Sequence, residues 1–255
     1  MNALDSIIEG VREDLALRRL PLGKIREMMD SAPTPLTPNF PSESMSVIAE
    51  IKRSSPSKGH LAEITEPAKL ASQYQEAGAA AVSVLTEKRR FNGSLEDFAA
   101  VRKVISLPML RKDFMVDEYQ FYEARAYGAD LILLIVAALS KSQLHDYFEL
   151  SRELGMKALI EVHTHDELER AMELNPEIIG VNSRNLKSLE VDTNVFRDLI
   201  PRIPNDLTRV AESGISSRND VELAQSAGAN VILVGEALVK AGDPRSSLKT
   251  LLGQN

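Results

Sequence analysis

The sequence predicts a parallel (β/α)8 TIM barrel with an extra N-terminal helical extension. Three observations lead there. Short apolar, β-branched-rich runs recur at Val47–Ile51, Ala81–Leu85, Pro108–Leu110, Leu131–Val136, Ala158–Val162, Ile178–Val181, Thr208–Ala211 and Val231–Val234. They carry little period-two polarity, as suits strands buried on both faces. Helix-start signals lie between them: Ser94 with Asp97, Asp117 with Gln120, Ser140 with Gln143, Thr164 with Glu167 and Ser217 with Asp220 are spaced like capping boxes. Gly78, Gly128, Gly155 and Gly228 then precede the next run, where a left-handed residue ends a helix well. Eight strand–helix units fit a closed barrel in both count and length. An open nucleotide-binding sheet would show a G-x-G-x-x-G or G-x-x-x-x-G-K-[ST] turn, and neither occurs.

Ahead of the barrel, Leu4, Ile7, Ile8, Val11 and Leu15 fall at helical spacing, which predicts an amphipathic helix over Leu4–Arg19. Pro33, Pro35, Pro38 and Pro41 follow, too dense for helix or central strand, so that stretch reads as a linker or draped loop. The chain reads as a single domain over 1–255, with 1–45 an extension and connector and 46–255 the barrel. The extension could plug the amino end of the barrel or roof its carboxyl end. The run Met28-Met29 reads as packing.

Composition narrows the function. The 255 residues are 44% hydrophobic and 26% charged, and 30 basic against 37 acidic residues give a net charge of −7. That argues against nucleic-acid or polybasic membrane partners. The absence of cysteine removes disulfides, Cys-ligated metals and thiol nucleophiles. The longest apolar run, Leu131–Leu139, is too short to span a bilayer, and Asp5 and Glu9 stand where a signal peptide needs apolar residues. A soluble, cytoplasmic protein is expected.

Catalytic groups of such a barrel come from the carboxyl ends of its strands. Alternation puts Glu50 with Lys52, Leu110 with Lys112, Leu159 with Glu161, Gly180 with Asn182 and Val210 with Glu212 on shared faces. If those faces point inward, five strands crowd charged or amide groups over the mouth, where unpaired burial is costly. A structural ring of ion pairs would use the same residues, but the coincidence of five strands favours a site. Ser213-Gly214 and Gly235-Glu236 follow the last two strands, the usual phosphate cradle of this fold; there Glu236 must turn its carboxylate away from a dianion. The loop Ser54-Ser55-Pro56-Ser57-Lys58-Gly59 adds hydroxyls, amides and charge. His163 and His165 flank Thr164 near Glu161, a pair that lacks a convincing third metal ligand. No metal is expected. His60 and His145 read as exposed.

These residues resemble the indole-3-glycerol-phosphate synthase family of tryptophan biosynthesis. The signature stretches are Ala-Glu-Ile-Lys-Arg-Ser-Ser-Pro-Ser-Lys-Gly at 49–59, Leu-Arg-Lys-Asp-Phe at 110–114, Leu-Ile-Glu-Val-His at 159–163, Gly-Val-Asn-Ser-Arg-Asn-Leu at 180–186 and Ala-Glu-Ser-Gly-Ile at 211–215. The similarity spans essentially the whole chain. It implies a lyase that closes, decarboxylates and dehydrates 1-(2-carboxyphenylamino)-1-deoxyribulose 5-phosphate. By that resemblance Lys112 is the general acid, Glu161 and Glu50 share the remaining proton transfers, and Lys52 holds the substrate carboxylate or shapes nearby pKa values. Asn182 and Glu212 orient hydroxyls and lysines. Ser55, Ser213, Gly214, Gly235 and Glu236, with Lys52 or Arg53, meet the phosphate. Phe114, Leu133, Arg184 and Leu186 contact the ring or hydroxyls. No cofactor is implied, the partner is the small phosphosugar-anthranilate substrate, and a monomer follows by analogy. Two alternatives are a sister phosphosugar isomerase, such as phosphoribosylanthranilate isomerase, and a non-catalytic binding barrel.

Overall fold

A computed structural model describes residues 2–240 and 243–254. Eight parallel strands, β1 (Ser46–Ile51), β4 (Ala81–Leu85), β5 (Met109–Lys112), β6 (Leu131–Ile135), β7 (Lys157–Val162), β8 (Ile178–Asn182), β9 (Thr208–Glu212) and β10 (Val231–Val234), close into a barrel in sequential order. The first strand pairs with both β4 and the last strand, β10. Between β1 and β4 a small antiparallel hairpin joins β2 (Ser54–Ser55) to β3 (Gly59–His60). The strand interiors are almost wholly buried, because the barrel lumen covers one face and the surrounding helices the other. Among the described residues no helix is long and apolar enough to cross a membrane.

Several outer helices begin where side chains satisfy their first free N–H groups. Ser94, Thr164 and Ser217 cap α4 (Leu95–Arg102), α7 (His165–Met172) and α9 (Arg218–Ser226). Ser140 and Gln143 form a reciprocal capping box at α6 (Lys141–Glu153). At α5 (Tyr119–Ala126) the Asp117 carboxylate accepts the Tyr119 N–H instead of that of Gln120. The other helices are α3 (Pro67–Glu76), α8 (Asn194–Leu199), α10 (Glu236–Lys240) and α11 (Pro244–Leu252).

The N-terminal segment engages both ends of the barrel. Helix α1 (Ala3–Arg18) lies over the carboxyl end, where Ile7 faces the central cavity. The loop after β4 holds it there. Arg89 pairs with Glu13 and Asp14, and Arg90 donates to the Ser6 hydroxyl. A second helix, α2 (Leu22–Ser31), packs Ile25, Met28 and Met29 against Tyr119 and Ala126 of α5. Helix α2 lies outside the elements that the sequence predicts. The proline stretch then passes beneath the amino end. Leu36 N–H donates to Asp130 at 2.6 Å, and Asn230 donates to the Phe40 carbonyl. Asp130 also takes the Met109 N–H at 2.7 Å and pairs with Arg102 at 2.8 Å. The connector is thus stitched to the barrel floor.

Candidate active site

Parallel register sets the level of each side chain in the barrel. Glu161 lies beside Ile135 and Gly180, Asn182 beside Glu212, and Lys112 beside Leu85. The inward residues therefore meet at the carboxyl end, around a cavity of about 680 Å³. Glu50, Lys52, Ser55, Lys112, Phe114, Leu133, Glu161, Asn182, Arg184, Leu186, Glu212, Ser213, Gly214, Gly235 and Glu236 all line it.

Lys112 sits at the centre. Its Nζ is 2.9 Å from Glu161 Oε2 and 2.9 Å from Glu212 Oε2, and its side chain is 12% exposed. Burial alone would lower the lysine's pKa, but the charges of Glu161, Glu212 and Glu50 hold it above the usual lysine range. Burial drives Glu161 upward, yet Lys112 and His163 together keep it below its ordinary value. Glu212 goes the other way. Burial pushes it up to about 7, with repulsion from Glu161 and Glu50 adding to the effect against the pull of Lys112. Two like carboxylates sharing one ammonium are driven apart in this fashion. Glu161 Oε1 and Glu212 Oε1 are buried with no hydrogen-bond partner among the described residues.

Gly180 makes room for this cluster, since a Cβ there would stand 2.1 Å from Glu212 Oε1. Behind it, Arg111 is fully buried on the outer face of β5. Its guanidinium binds Thr86, the Gln120 carbonyl, Asp113 and Glu123, and Glu123 in turn holds Arg18 of α1. That network fixes the strand end that carries Lys112.

On the opposite side, Lys52 pairs with Glu50, Arg184 donates to the Ser57 hydroxyl at 2.7 Å, and Lys58 reaches Glu236 at 2.8 Å. Glu236 lines the cavity, and its carboxylate is engaged by Lys58. Ser213 and Gly214 both adopt left-handed backbone. A Cβ on Gly214 would lie 2.7 Å from Thr193, so this turn needs glycine twice over.

Arg53 is corrected. Expected at the phosphate, it is not among the cavity-lining residues. Adjacent side chains on an extended chain point to opposite sides, so Lys52 faces inward and Arg53 outward. There Arg53 binds Asp97 and the carbonyls of Ile64 and Asn92.

The structure adds residues that sequence reading missed. Ile7, Leu189, Val191 and Phe91 line the cavity, and Phe91 packs at 6.2 Å from Phe114. The apolar stripe of α1 was the signal for Ile7. Phe91 had none, because its loop is shaped by the buried Glu87 carboxylate, which accepts the N–H groups of Arg89, Arg90 and Phe91. The paired histidines part company: His163 turns its ring to the Arg184 carbonyl, whereas His165 opens α7 exposed to solvent. Among the described residues no three His, Asp or Glu side chains gather as metal ligands.

The family model described as indole-3-glycerol phosphate synthase matches residues 4–251. A relative of that name from Mycolicibacterium smegmatis is 52% identical over 98% of this chain and 93% of its own length. Another from Rhodococcus jostii is 49% identical over 99% and 95%. Two solved structures share the fold at low identity. A 3-hexulose-6-phosphate synthase aligns with a TM-score of 0.64 at 18% identity, covering 82% of this chain and 99% of its own. A mutant tryptophan synthase alpha-subunit from Pyrococcus furiosus gives 0.61 at 20%, covering 82% and 98%. Near-complete coverage by the family model and by relatives at about half identity leads to one conclusion: this chain belongs to the indole-3-glycerol phosphate synthase family, carboxy-lyases of tryptophan biosynthesis.

Proposed function

We propose that the Lys112–Glu161–Glu212 cluster carries out ring closure of 1-(2-carboxyphenylamino)-1-deoxyribulose 5-phosphate. The observation behind this reading is a single ammonium, held protonated, between two buried carboxylates at the cavity centre. The aromatic carbon bearing the substrate carboxylate attacks the ketone, and negative charge grows on the ketone oxygen. Lys112 meets that charge and delivers the proton. Carbon dioxide then leaves from the tetrahedral ring carbon, which restores the aromatic ring. The new hydroxyl departs as water with one added proton, and the neighbouring methylene gives up a proton to form the indole. Atoms balance as indole-3-glycerol phosphate, carbon dioxide and water.

The last two transfers fall to Glu161 and to the Lys52–Glu50 pair. Glu161 is held ionised and its buried Oε1 has no hydrogen-bond partner among the described residues, which fits it as the base. Glu212 keeps Lys112 in place, and Asn182 orients substrate hydroxyls. Ser55, Ser213, Gly214 and Gly235 receive the phosphate, where Lys58 adds positive charge. Phe91, Phe114, Leu133, Leu186 and Ile7 wall the anthranilate ring. The monomer stands on the family analogy, and the steps require only proton transfers, which supports an enzyme without a cofactor. We place it in the cytoplasm with the small molecules it consumes.

The test is turnover by the purified chain, followed by indole absorbance and carbon dioxide release. Lys112→Ala should lose about 10²–10⁴ in kcat, the usual loss for a positioned proton donor. Near-wild-type turnover in that variant would overturn the assignment. Isomerisation without carbon dioxide would favour the sister isomerase.

A further inference from the structure

His163 lies one residue beyond β7 and two beyond Glu161, and the reaction as described leaves it without a task. Its ring is buried, with 9% of the side chain exposed. Nε2 meets the backbone carbonyl of Arg184, in the loop after β8. A carbonyl only accepts, so Nε2 carries a proton. Nδ1 then decides the ring's charge. It stands 3.5 Å from Glu167 Oε2, whose carboxylate also takes the His163 backbone N–H at 2.7 Å. Nδ1 makes no hydrogen bond; bare, it would set a lone pair against that carboxylate, whereas protonated it forms an ion pair with it. The charged groups around the ring are Glu161 on its own strand, Glu167 on α7 and Arg184 in the facing loop, with Lys112 of β5 beyond Glu161. Burial by itself would lower the imidazole pKa, but Glu167, Glu161 and the Arg184 carbonyl raise it above the ordinary histidine value.

We infer that His163 is a positioning residue of this active site: its ring tethers the Arg184 loop to the strand end bearing Glu161, and its positive charge acts on the Glu161 carboxylate. The tether matters because the loop is a cavity wall. Leu186, Leu189 and Val191 line the cavity from it, and Arg184 reaches across to Ser57. The charge matters because His163 is one of two cations that keep Glu161 ionised. The second half of the inference rests on Glu161 being the base.

Two variants separate tether from charge. Glutamine places an amide N–H near the ring's Nε2 but cannot become a cation, whereas alanine removes both. His163→Gln should keep KM within about threefold of wild type. His163→Ala should raise it about tenfold, the effect of one net hydrogen bond. Both should move the acid limb of the kcat–pH profile upward by about 0.5–1 unit, because a nearby opposite charge has been removed from Glu161. Circular dichroism and a cooperative melt confirm folding; if His163→Ala does not fold, His163→Gln still reads the limb. An unmoved limb in His163→Gln overturns the inference, as does an equal KM rise in both variants or an unchanged KM in His163→Ala. Glu161→Gln is measured alongside. If it keeps turnover and the acid limb, the base assignment has failed; if it loses turnover while His163→Gln leaves the limb in place, this inference has failed.

Discussion

Gly180→Ala should cripple the reaction while adding only one methyl group. Gly180 lies in β8 with ordinary backbone angles, so alanine meets no conformational penalty there. The difficulty is the space in front of it. The new Cβ would stand 2.1 Å from Glu212 Oε1, 3.2 Å from Glu212 Cδ and 3.1 Å from Leu159 Cδ1. Side-chain carbons do not approach a neighbour within 3.0 Å, so the carboxylate must retreat by about 0.9 Å at least. Glu212 is buried and bonded to Lys112 at 2.9 Å, close to the roughly 3.2 Å limit of such a bond, so it cannot retreat and keep its partner. Lys112 would then lean toward Glu161. A displacement of about 1 Å at reacting groups costs about 10² in rate. Overpacking adds about 1–3 kcal/mol of destabilisation, or several degrees in Tm for a chain of this size. The assay is kcat from indole absorbance at saturating substrate, with a thermal melt on the same sample. A folded variant with kcat within twofold of wild type would refute the idea that Glu212 must sit where it does against Lys112.

Three further outcomes follow from the same geometry. Because the folded chain holds the Glu212 proton up to about 7 while an unfolded carboxyl releases it near 4.5, the folded state binds more protons between those values. Stability from this group therefore falls as pH rises through that window, and Glu212→Gln should gain Tm relative to wild type between pH 5 and 8; parallel Tm–pH curves would contradict it. Asp130→Ala strips the acceptor from Leu36, Met109 and Arg102, so urea unfolding should show a loss of about 3–5 kcal/mol, with kcat near wild type because Asp130 lies at the opposite end from Lys112. Removing residues 2–31 should leave a cooperatively folding barrel with a raised KM, since Ile7 leaves the cavity wall; removing 2–45 should lower Tm as well, because the bonds from Leu36 and Phe40 are lost.

How far the sequence can be read depends on what a residue answers to. The eight barrel strands were legible because a strand covered on both faces must be apolar throughout, and Ile48, Val82, Ile132 and Ile232 obey that locally. Glu50, Lys112, Glu161, Asn182 and Glu212 were legible because alternation and strand ends are local facts too. Arg53 misled because it follows Lys52 just past the end of β1 and carries the same charge, and only the parity of the backbone separates them. Arg111 was silent. Nothing local says that an arginine on a strand covered on both faces will be matched there by Glu123 and Asp113. Helix α2 was missed because it buries a single residue, Ile25, and its cover comes from α5, far along the chain.

The N-terminal segment also sets an order of events during synthesis. Ile25 and its neighbours leave the ribosome before Tyr119 and Ala126, which cover them and are made roughly a hundred residues later. At about 5–20 residues per second, that apolar stripe waits roughly 5–20 seconds for shelter. The floor contacts mature still later, because Phe40 meets Asn230 and β1 meets β10 only when the last strand has emerged. The first barrel strand is therefore held open on one edge until β10 has emerged, and the barrel can close only then.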